Sequence, residues 1–418
     1  MTVLLKQTYT ETIDPGVGYR NVGSNHIYLY IPSFFFLLTT LYSLFPSLPM
    51  PSSFRFAVIS DPHIALPQTI WDHPSRFHLV EISIPAIELV LEQIAPLDID
   101  FLLLPGDLTQ HGEPENHRWL SERLAQLPYP VCVVPGNHDV PEYLATDRSI
   151  GLSDFALYYE QFGYSDPAQP YYLCEVIPGV QVIGLNSNFF DPAGKQINMG
   201  RVDDQQLDWL KNTLAEVKDD VVMVMIHHNV IEHLPGQAKN PLGRRYMLEN
   251  ASTLLEVLNT AEVKLLFTGH LHVQDVARHQ SIYEITTGSL VSYPHPYRVL
   301  EFQQDYQGNQ SVRVESGRVT EVPGWANLPH FSREWIGDRS FPFMLRLLTQ
   351  PPLNLPVHEA EKLAPMLRYF WADIAEGDAV FHFPSFPPEL NHYFKQFGAI
   401  DQNGELQRID NFTLLTLQ

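Results

Sequence analysis

A chain of 418 residues with 44% hydrophobic and 18% charged side chains is long enough for one large domain or two ordinary ones, and apolar enough to exclude a largely disordered protein. Its formal net charge of −22 repels polyphosphate backbones and excludes a general nucleic-acid binder, while a small anionic substrate stays admissible if bound cations reverse the field locally. The two cysteines, Cys132 and Cys174, make neither a disulfide framework nor a Cys-x-x-Cys zinc ribbon, so any metal must be held by His, Asp and Asn; a single bridge between the two stays open.

Along the chain, residues 1–26 are polar and weakly patterned. Residues 27–49 are apolar and aromatic, near the length of a membrane span, but Pro32, Pro46 and Pro49 interrupt them and no Lys/Arg cluster flanks them. Three readings stay open for this extension: a membrane anchor on an otherwise cytoplasmic protein, a non-native extension ahead of a start at Met50, or packing onto the domain.

From Phe54 the pattern changes. Short β-rich runs bounded by Gly, Pro, Asn or Asp recur at 54–60, 100–106, 130–136, 180–186, 221–228, 264–270 and 281–289, and each predicts a buried strand. Helix-like stretches lie between several of them. Residues 81–94 carry apolar side chains at helical spacing, with Pro85 placed in the first turn; 203–217 opens on acidic residues; 250–261 offers Asn250 or Ser252 as its cap. Strands alternating with helices predict an α/β architecture of layered sheets with helices outside. After about residue 320 the alternation stops, and a tail rich in Trp, Phe and Pro carries one predicted helix over 358–377. The expected organisation is an N-terminal extension (1–49), a main domain (50–320) and a helical or irregular C-terminal extension (321–418).

The chemistry gathers at strand ends. The first predicted strand ends in Asp61-Pro62-His63, the second in Gly106-Asp107, the third in Gly136-Asn137-His138-Asp139, a later one in His227-His228, and the next in Gly269-His270-Leu271-His272. In an open α/β sheet, ligand sites form beyond the carboxyl ends of the strands, so residues far apart in sequence can converge there. Imidazole and carboxylate donors together suit zinc, iron or manganese. A carboxylate has two oxygens, which makes Asp107 the candidate to bridge two cations about 3.5–4 Å apart.

This ordered set resembles the calcineurin-like metallophosphoesterase superfamily, whose pattern runs Asp-x-His, Gly-Asp, Gly-Asn-His-Asp/Glu, His and Gly-His-x-His. The likeness spans roughly residues 54–300. Within it the chain is similar to the bacterial branch of class III cyclic-nucleotide phosphodiesterases and glycerophosphodiesterases. Gly112-Glu113-Pro114 carries that likeness, as do Met199-Gly200 leading to Gln206-Leu207-Asp208-Trp209-Leu210, and Gly288-Ser289 followed by Tyr297-Arg298. The resemblance implies a two-sheet β-sandwich flanked by helices and a pair of divalent ions (manganese, iron or zinc). One ion would be held by Asp61, His63, Asp107 and His272, the other by Asp107, Asn137, His227 and His270. It further implies Asp107 and His138 as catalytic residues, with His138 a proton donor or electrostatic stabiliser near the leaving group, and Asn137 and His228 as candidate substrate contacts. The implied reaction is hydrolysis of a small phosphodiester by metal-activated hydroxide. A phosphomonoesterase or nucleotide pyrophosphatase is the nearest alternative, and a non-catalytic scaffold would require lost ligands, of which there are none.

Two departures from that branch stand out. Gln110 occupies the position where relatives often place an Asp that orients the catalytic His, and Asn229-Val230-Ile231 replaces a segment often rich in proline. Asp139 reads as a cap for a following helix, Arg298 as structural, and the tail aromatics as core. His111, His117, His233 and His295 have no assigned partner. A zinc peptidase is excluded, because no His-Glu-x-x-His run exists.

Overall fold

A computed structural model describes residues 51–71, 76–401 and 403–417, and the extension over 1–49 lies outside the described residues. The first β-rich runs form β1 (Ser53–Val58), β2 (Phe101–Leu104) and β3 (Val131–Val133). Helix α1 (Ser83–Ile94) follows β1 and α2 (Pro114–Leu124) follows β2. Pro85 is the third residue of α1, where its missing N–H leaves no intrahelical bond unmade. After α3 (Leu152–Tyr158) come β4 (Tyr172–Ile177) and β5 (Val180–Gly184), then α4 (Asp204–Glu216), capped by the Asp203 carboxylate accepting the Gln206 amide at 2.8 Å. The chain continues through β6 (Val221–Met225), the short α5 (Pro241–Arg244), α6 (Ala251–Thr260), β7 (Leu265–Thr268), β8 (Asp275–His279) and β9 (Ile282–Thr286). Asn250 does sit at the start of α6, but its side chain bonds the backbone of Val202 rather than capping the helix.

Two six-stranded mixed sheets result. One closes with the long antiparallel pair β10 (Pro296–Gln304) and β11 (Gln310–Arg318) and a returning strand β12 (Phe412–Leu417), in the order β12-β11-β10-β1-β2-β3; the other runs β4-β5-β6-β7-β9-β8. Each sheet contains a parallel block: β1 to β3 at one end of the first, and β5, β6, β7 and β9 within the second. The sheets pack face to face. Phe56 and Phe101 of the first stack on each other, and Phe56 meets Phe267 of the second edge-on at 5.6 Å. Because successive strand side chains alternate faces, Met223 and Met225 join this central core, while Val224 points outward with Leu266 to meet Leu210 and Leu258 of α4 and α6.

The tail is more ordered than its composition suggests. It forms α7 (Leu328–Thr349), α8 (Val357–Leu363), α9 (Phe370–Glu376) and α10 (Pro388–Lys395) before β12 pairs with β11. The single helix expected over 358–377 is therefore divided into α8, a 3-10 turn over Ala364–Leu367 and α9. Pro365 lacks the N–H that would continue the α-helical ladder. The helices share a core with Leu271 and Val273, so the tail packs directly behind the His270-Leu271-His272 turn. Both cysteines are free, Cys132 in the central core and Cys174 half-buried.

The expected cytoplasmic placement with membrane association through 27–49 is corrected. Among the described residues no helix is long and apolar enough to cross a membrane. Residues 27–49 themselves lie outside the described residues.

Candidate metal centre

Five parallel strands, β1, β2 and β3 of one sheet and β6 and β7 of the other, end at the same edge of the sandwich. Backbone bonds draw their loops together: Asp61 N to Gly106 O at 3.2 Å, His63 N to Asp107 O at 3.0 Å, and Gly269 N to His227 O at 3.1 Å. The turns are sharp. Asp61, His63, Asp107, His270 and His272 all have positive φ, between 41° and 65°. For residues with a Cβ this left-handed region is uncommon, and it clusters at sites where a side chain must be aimed. Gly136 and Gly269 allow the loops to close. A Cβ on the first would overlap Asp107, and one on the second would overlap Ser60 and Asp61.

Asp107 is the centre of the arrangement. With Asp61, His63 and His272 it forms one group of donors within 4.8 Å of one another, and with His227 and His270 it forms a second. His227 Nε2 lies 3.3 Å from Asp107 Oδ2 and 3.2 Å from Asn137 Oδ1, so Asn137 joins the second group. His272 Nε2 is 3.0 Å from Asp61 Oδ1, and the amide of His270 donates to the Asp61 carboxylate at 3.2 Å. His227 donates Nδ1–H to Pro105 O at 2.8 Å, which leaves Nε2 as its free lone pair. All seven expected donors are thus brought together.

Electrostatics set the protonation states that ligation requires. Burial, with His78 alongside, holds the pKa of His63 well below that of a free imidazole; burial, with His228 and His227 alongside, does the same for His270. Burial alone would raise the Asp107 carboxyl, but His227 and His138 pull it well below its usual range. Neutral imidazoles and an ionised carboxylate are the ligand forms. His227 runs the other way: burial alone would lower its pKa, but the Asp107 carboxylate raises it to about 9, so it would give up a proton on ligation.

The donor set fits a pair of cations on the structure's own terms. Both ring nitrogens of His63 and Nε2 of His270 are buried with no hydrogen-bond partner among the described residues. Buried polar atoms are rarely left unpaired, and here the orphans point into one cluster of carboxylate and imidazole groups.

His138 stands at the cavity wall beside the donors. Its amide donates to Asp107 Oδ1 at 2.8 Å, and its Nδ1 lies 2.7 Å from the main-chain carbonyl of Gln110. The Gln110 side chain instead bonds Trp71 N and Thr69 O. The backbone at position 110 thus orients the imidazole where relatives often use a carboxylate. His228 is buried behind His270, with Nδ1 2.8 Å from Ser187 Oγ, a supporting position rather than a wall of the cavity.

Asp139 caps no helix. Its carboxylate accepts the amides of Leu108, Thr109 and Gly136 at 2.8–3.0 Å and clips two donor loops together. The Asn229-Val230-Ile231 segment is held by Glu284, fully buried on β9, which accepts the amides of Val230 and Ile231. Glu284 also faces His233, whose other ring nitrogen meets Asp275 at 2.6 Å. His117 bonds Tyr159, and His295 bonds Leu290. Arg298 is wholly buried and bonds Asp410 O and Thr286 O, a structural role.

One residue had no signal in the sequence. His78, in the segment before α1, stands 4.3 Å from the His63 ring and 4.7 Å from the His272 ring, and the three form a further group of donors within 4.8 Å of one another. It belongs to no spaced motif, and only the folding of its loop brings it to the site.

Donors from both sheets, converging on one shared carboxylate, define an α/β protein with a candidate dinuclear metal centre. The calcineurin-like phosphoesterase family model matches residues 54–274, more than half of the chain, and the chain belongs to that family. It is 31% identical over 193 residues to a probable cyclic nucleotide phosphodiesterase of Synechococcus sp., covering 46% of this chain and 65% of that protein. It is 27% identical over 189 residues to the 3',5'-cyclic adenosine monophosphate phosphodiesterase of Escherichia coli, covering 44% and 59%. A glycerophosphodiester phosphodiesterase of Enterobacter lignolyticus is 24% identical over 248 residues, covering 57% and 80%. The match thus spans less than two thirds of the first two relatives' length. A solved dimetal phosphatase from Danio rerio is similar at 16% identity and a TM-score of 0.49, covering 64% of this chain and 96% of that one.

Proposed function

We propose that this chain is a metal-dependent phosphoesterase that hydrolyses a small phosphodiester. The observation that carries the reading is the shared position of Asp107 between two donor groups, which lets one carboxylate serve two cations. One ion would be held by Asp61, His63, Asp107 and His272, with His78 adding a nitrogen on the same side; the other would be held by Asp107, Asn137, His227 and His270. Manganese, iron and zinc all suit this mixture of imidazole and carboxylate. When bound, such a pair clamps a phosphoryl group and activates water for in-line attack.

The rest is done by this chain's own side chains. His138, held through Nδ1 by the Gln110 carbonyl, turns Nε2 toward the cavity, where it can donate a proton to the departing alcohol oxygen. Asn137, whose Oδ1 faces His227, would offer its side-chain N–H to a phosphate oxygen. Asp61 accepts the His270 amide and fixes the turn that carries two donors. The diester reading is supported by relatives named for cyclic nucleotides and glycerophosphodiesters. The net charge of −22 speaks against polynucleotide substrates.

The test is a panel assay on protein reconstituted with Mn²⁺ or Zn²⁺ and verified for metal content. Bis(p-nitrophenyl) phosphate, p-nitrophenyl phosphate, cyclic AMP and glycerophosphocholine would be compared. Diester hydrolysis exceeding monoester hydrolysis is the expected result. Preference for the monoester would move the reading to a phosphomonoesterase, and loaded protein that cleaves none of the four would end it.

A further inference from the structure

The donor cluster opens into a cavity of about 330 Å³ whose far wall comes largely from the C-terminal segment. Ile336 and Phe343 of α7 and Trp371 of α9 face it, with Tyr246 and Tyr293 from the loops around the centre. This wall is apolar in a way the phosphate end is not. The Tyr293 hydroxyl donates to Glu376 at 2.6 Å, the Tyr246 hydroxyl accepts from Arg245 at 2.5 Å, and the Ser340 hydroxyl donates to Gly337 O at 2.8 Å. These three hydroxyls are thus engaged within the protein, leaving ring faces and aliphatic carbon on this wall; Gln196, Asn198 and Ser292, whose Oγ is buried with no hydrogen-bond partner among the described residues, are the other polar side chains that line the cavity beside the donor cluster. Phe343 and Trp371 meet edge-to-face at 5.5 Å and 65°, forming a corner that offers one ring face and one ring edge. Both are only half-buried. Apart from the donor cluster and its histidines, the one charged side chain on the wall is Arg245, whose guanidinium lies over the Tyr246 ring at 4.7 Å.

Resting on the phosphoesterase reading, we propose that this wall is a subsite for an uncharged carbocyclic aromatic group on the substrate, so that the substrate class is an aryl or arylalkyl phosphodiester. A second phosphate or a carboxylate would find a single cation and mostly hydrocarbon. A glycerol or sugar would leave its hydroxyls unpaired against Ile336, Phe343 and Trp371, as would the polar edge of a nucleobase. A planar hydrocarbon ring loses nothing there and gains stacked and edge-on contact with two aromatic side chains.

The test is calorimetric binding to metal-loaded protein of three phosphinates, which carry two P–C bonds and no cleavable P–O ester: dimethylphosphinate (the methyl ligand), benzyl(methyl)phosphinate (the phenyl ligand) and 5'-deoxythymidine 5'-methylphosphinate (the thymidine ligand). The phenyl ligand should bind at least about tenfold more tightly than either of the others, which corresponds to about 1.4 kcal/mol. Trp371→Ala should reduce the phenyl-to-methyl ratio at least about fivefold. Because Trp371 also packs among the tail helices, Ala375→Leu, which adds bulk to the same wall, is the second variant and should reduce the ratio as well. A phenyl-to-methyl ratio within twofold in the wild type, tighter binding of the thymidine ligand, or a ratio unmoved in both folded variants would overturn the proposal. Aromatic preference in binding without turnover of any ester would leave the subsite standing and remove the enzyme reading, so the two failures are separable.

Discussion

The carboxylate of Asp139 accepts the amide of Gly136 at 2.8 Å, closing its own loop, and the same group reaches across to Leu108 and Thr109 in the loop that carries Asp107. Burial, and then the neighbouring Asp107 charge, push the pKa of Asp139 up to about 7. Asp139→Asn keeps the shape but turns one acceptor oxygen into a donor, leaving buried amides unpaired. The expected loss is about 1–3 kcal/mol of stability, with weaker metal retention, checked by urea denaturation and by metal analysis after dialysis.

Asp107 is required by both donor groups. Asp107→Ala should lower bound metal from two ions per chain to one or none. Turnover should fall at least about 100-fold, since losing even a residue behind a ligand costs about 10–100-fold. Metal content and rate both unchanged would show that the carboxylate bridges nothing.

His78 offers a sharper separation. If it adds a donor to the ion held by Asp61, His63, Asp107 and His272, then His78→Ala weakens one ion and spares the other. Equilibrium dialysis against graded Co²⁺ should show two similar steps in the wild type and one weakened step in the variant, by about 10-fold or more. Two unchanged steps would reduce His78 to a neighbour.

On the proposed reading His138 donates a proton and does not hold metal. His138→Ala should therefore retain both ions. It should lose about 10²–10⁴-fold in kcat on a diester with an alkyl leaving group, and much less on p-nitrophenyl esters, whose leaving group needs no proton. Equal losses on both kinds of substrate would point to phosphate binding instead.

A pH dependence of stability follows from His233. Burial alone would lower its pKa, but the facing Glu284 and Asp275 carboxylates overcome that and raise it to about 10, against 6.5 for a free imidazole. The folded protein therefore holds a proton between these values that the unfolded chain releases. The contribution is complete below pH 6.5 and is lost as pH rises through about 10, at a slope of at most about 1.4 kcal/mol per pH unit. The stability gap between wild type and His233→Gln should be widest near pH 6 and should shrink toward pH 10. A constant gap would show that His233 is neutral in the fold.

The sequence and the structure agree where a local signal was strong. Runs such as 221–228 and 264–270 combine β-rich character with a turn residue, and both become central parallel strands that deliver a histidine at their ends. Edge strands were harder to read. β4, β8 and β12 are five or six residues long with neither a clean alternation nor a continuous apolar run, and they gain their identity from pairing. The long α7 went unread because Pro342 stands inside it and its apolar residues follow no single stripe. In the candidate centre, donors that fall in spaced pairs were legible. What was not legible depends on tertiary placement: His78, the orienting carbonyl of Gln110, and the clip made by Asp139, whose sequence context suggested a cap.

The chain leaves β11, builds the four tail helices and comes back to pair along the same strand, with Glu315 opposite Phe412. The excursion is consequently tethered at both ends to one rigid ladder, like a bucket handle rather than a flap. Its aromatic face is therefore carried beside the donor cluster on a segment held at both ends.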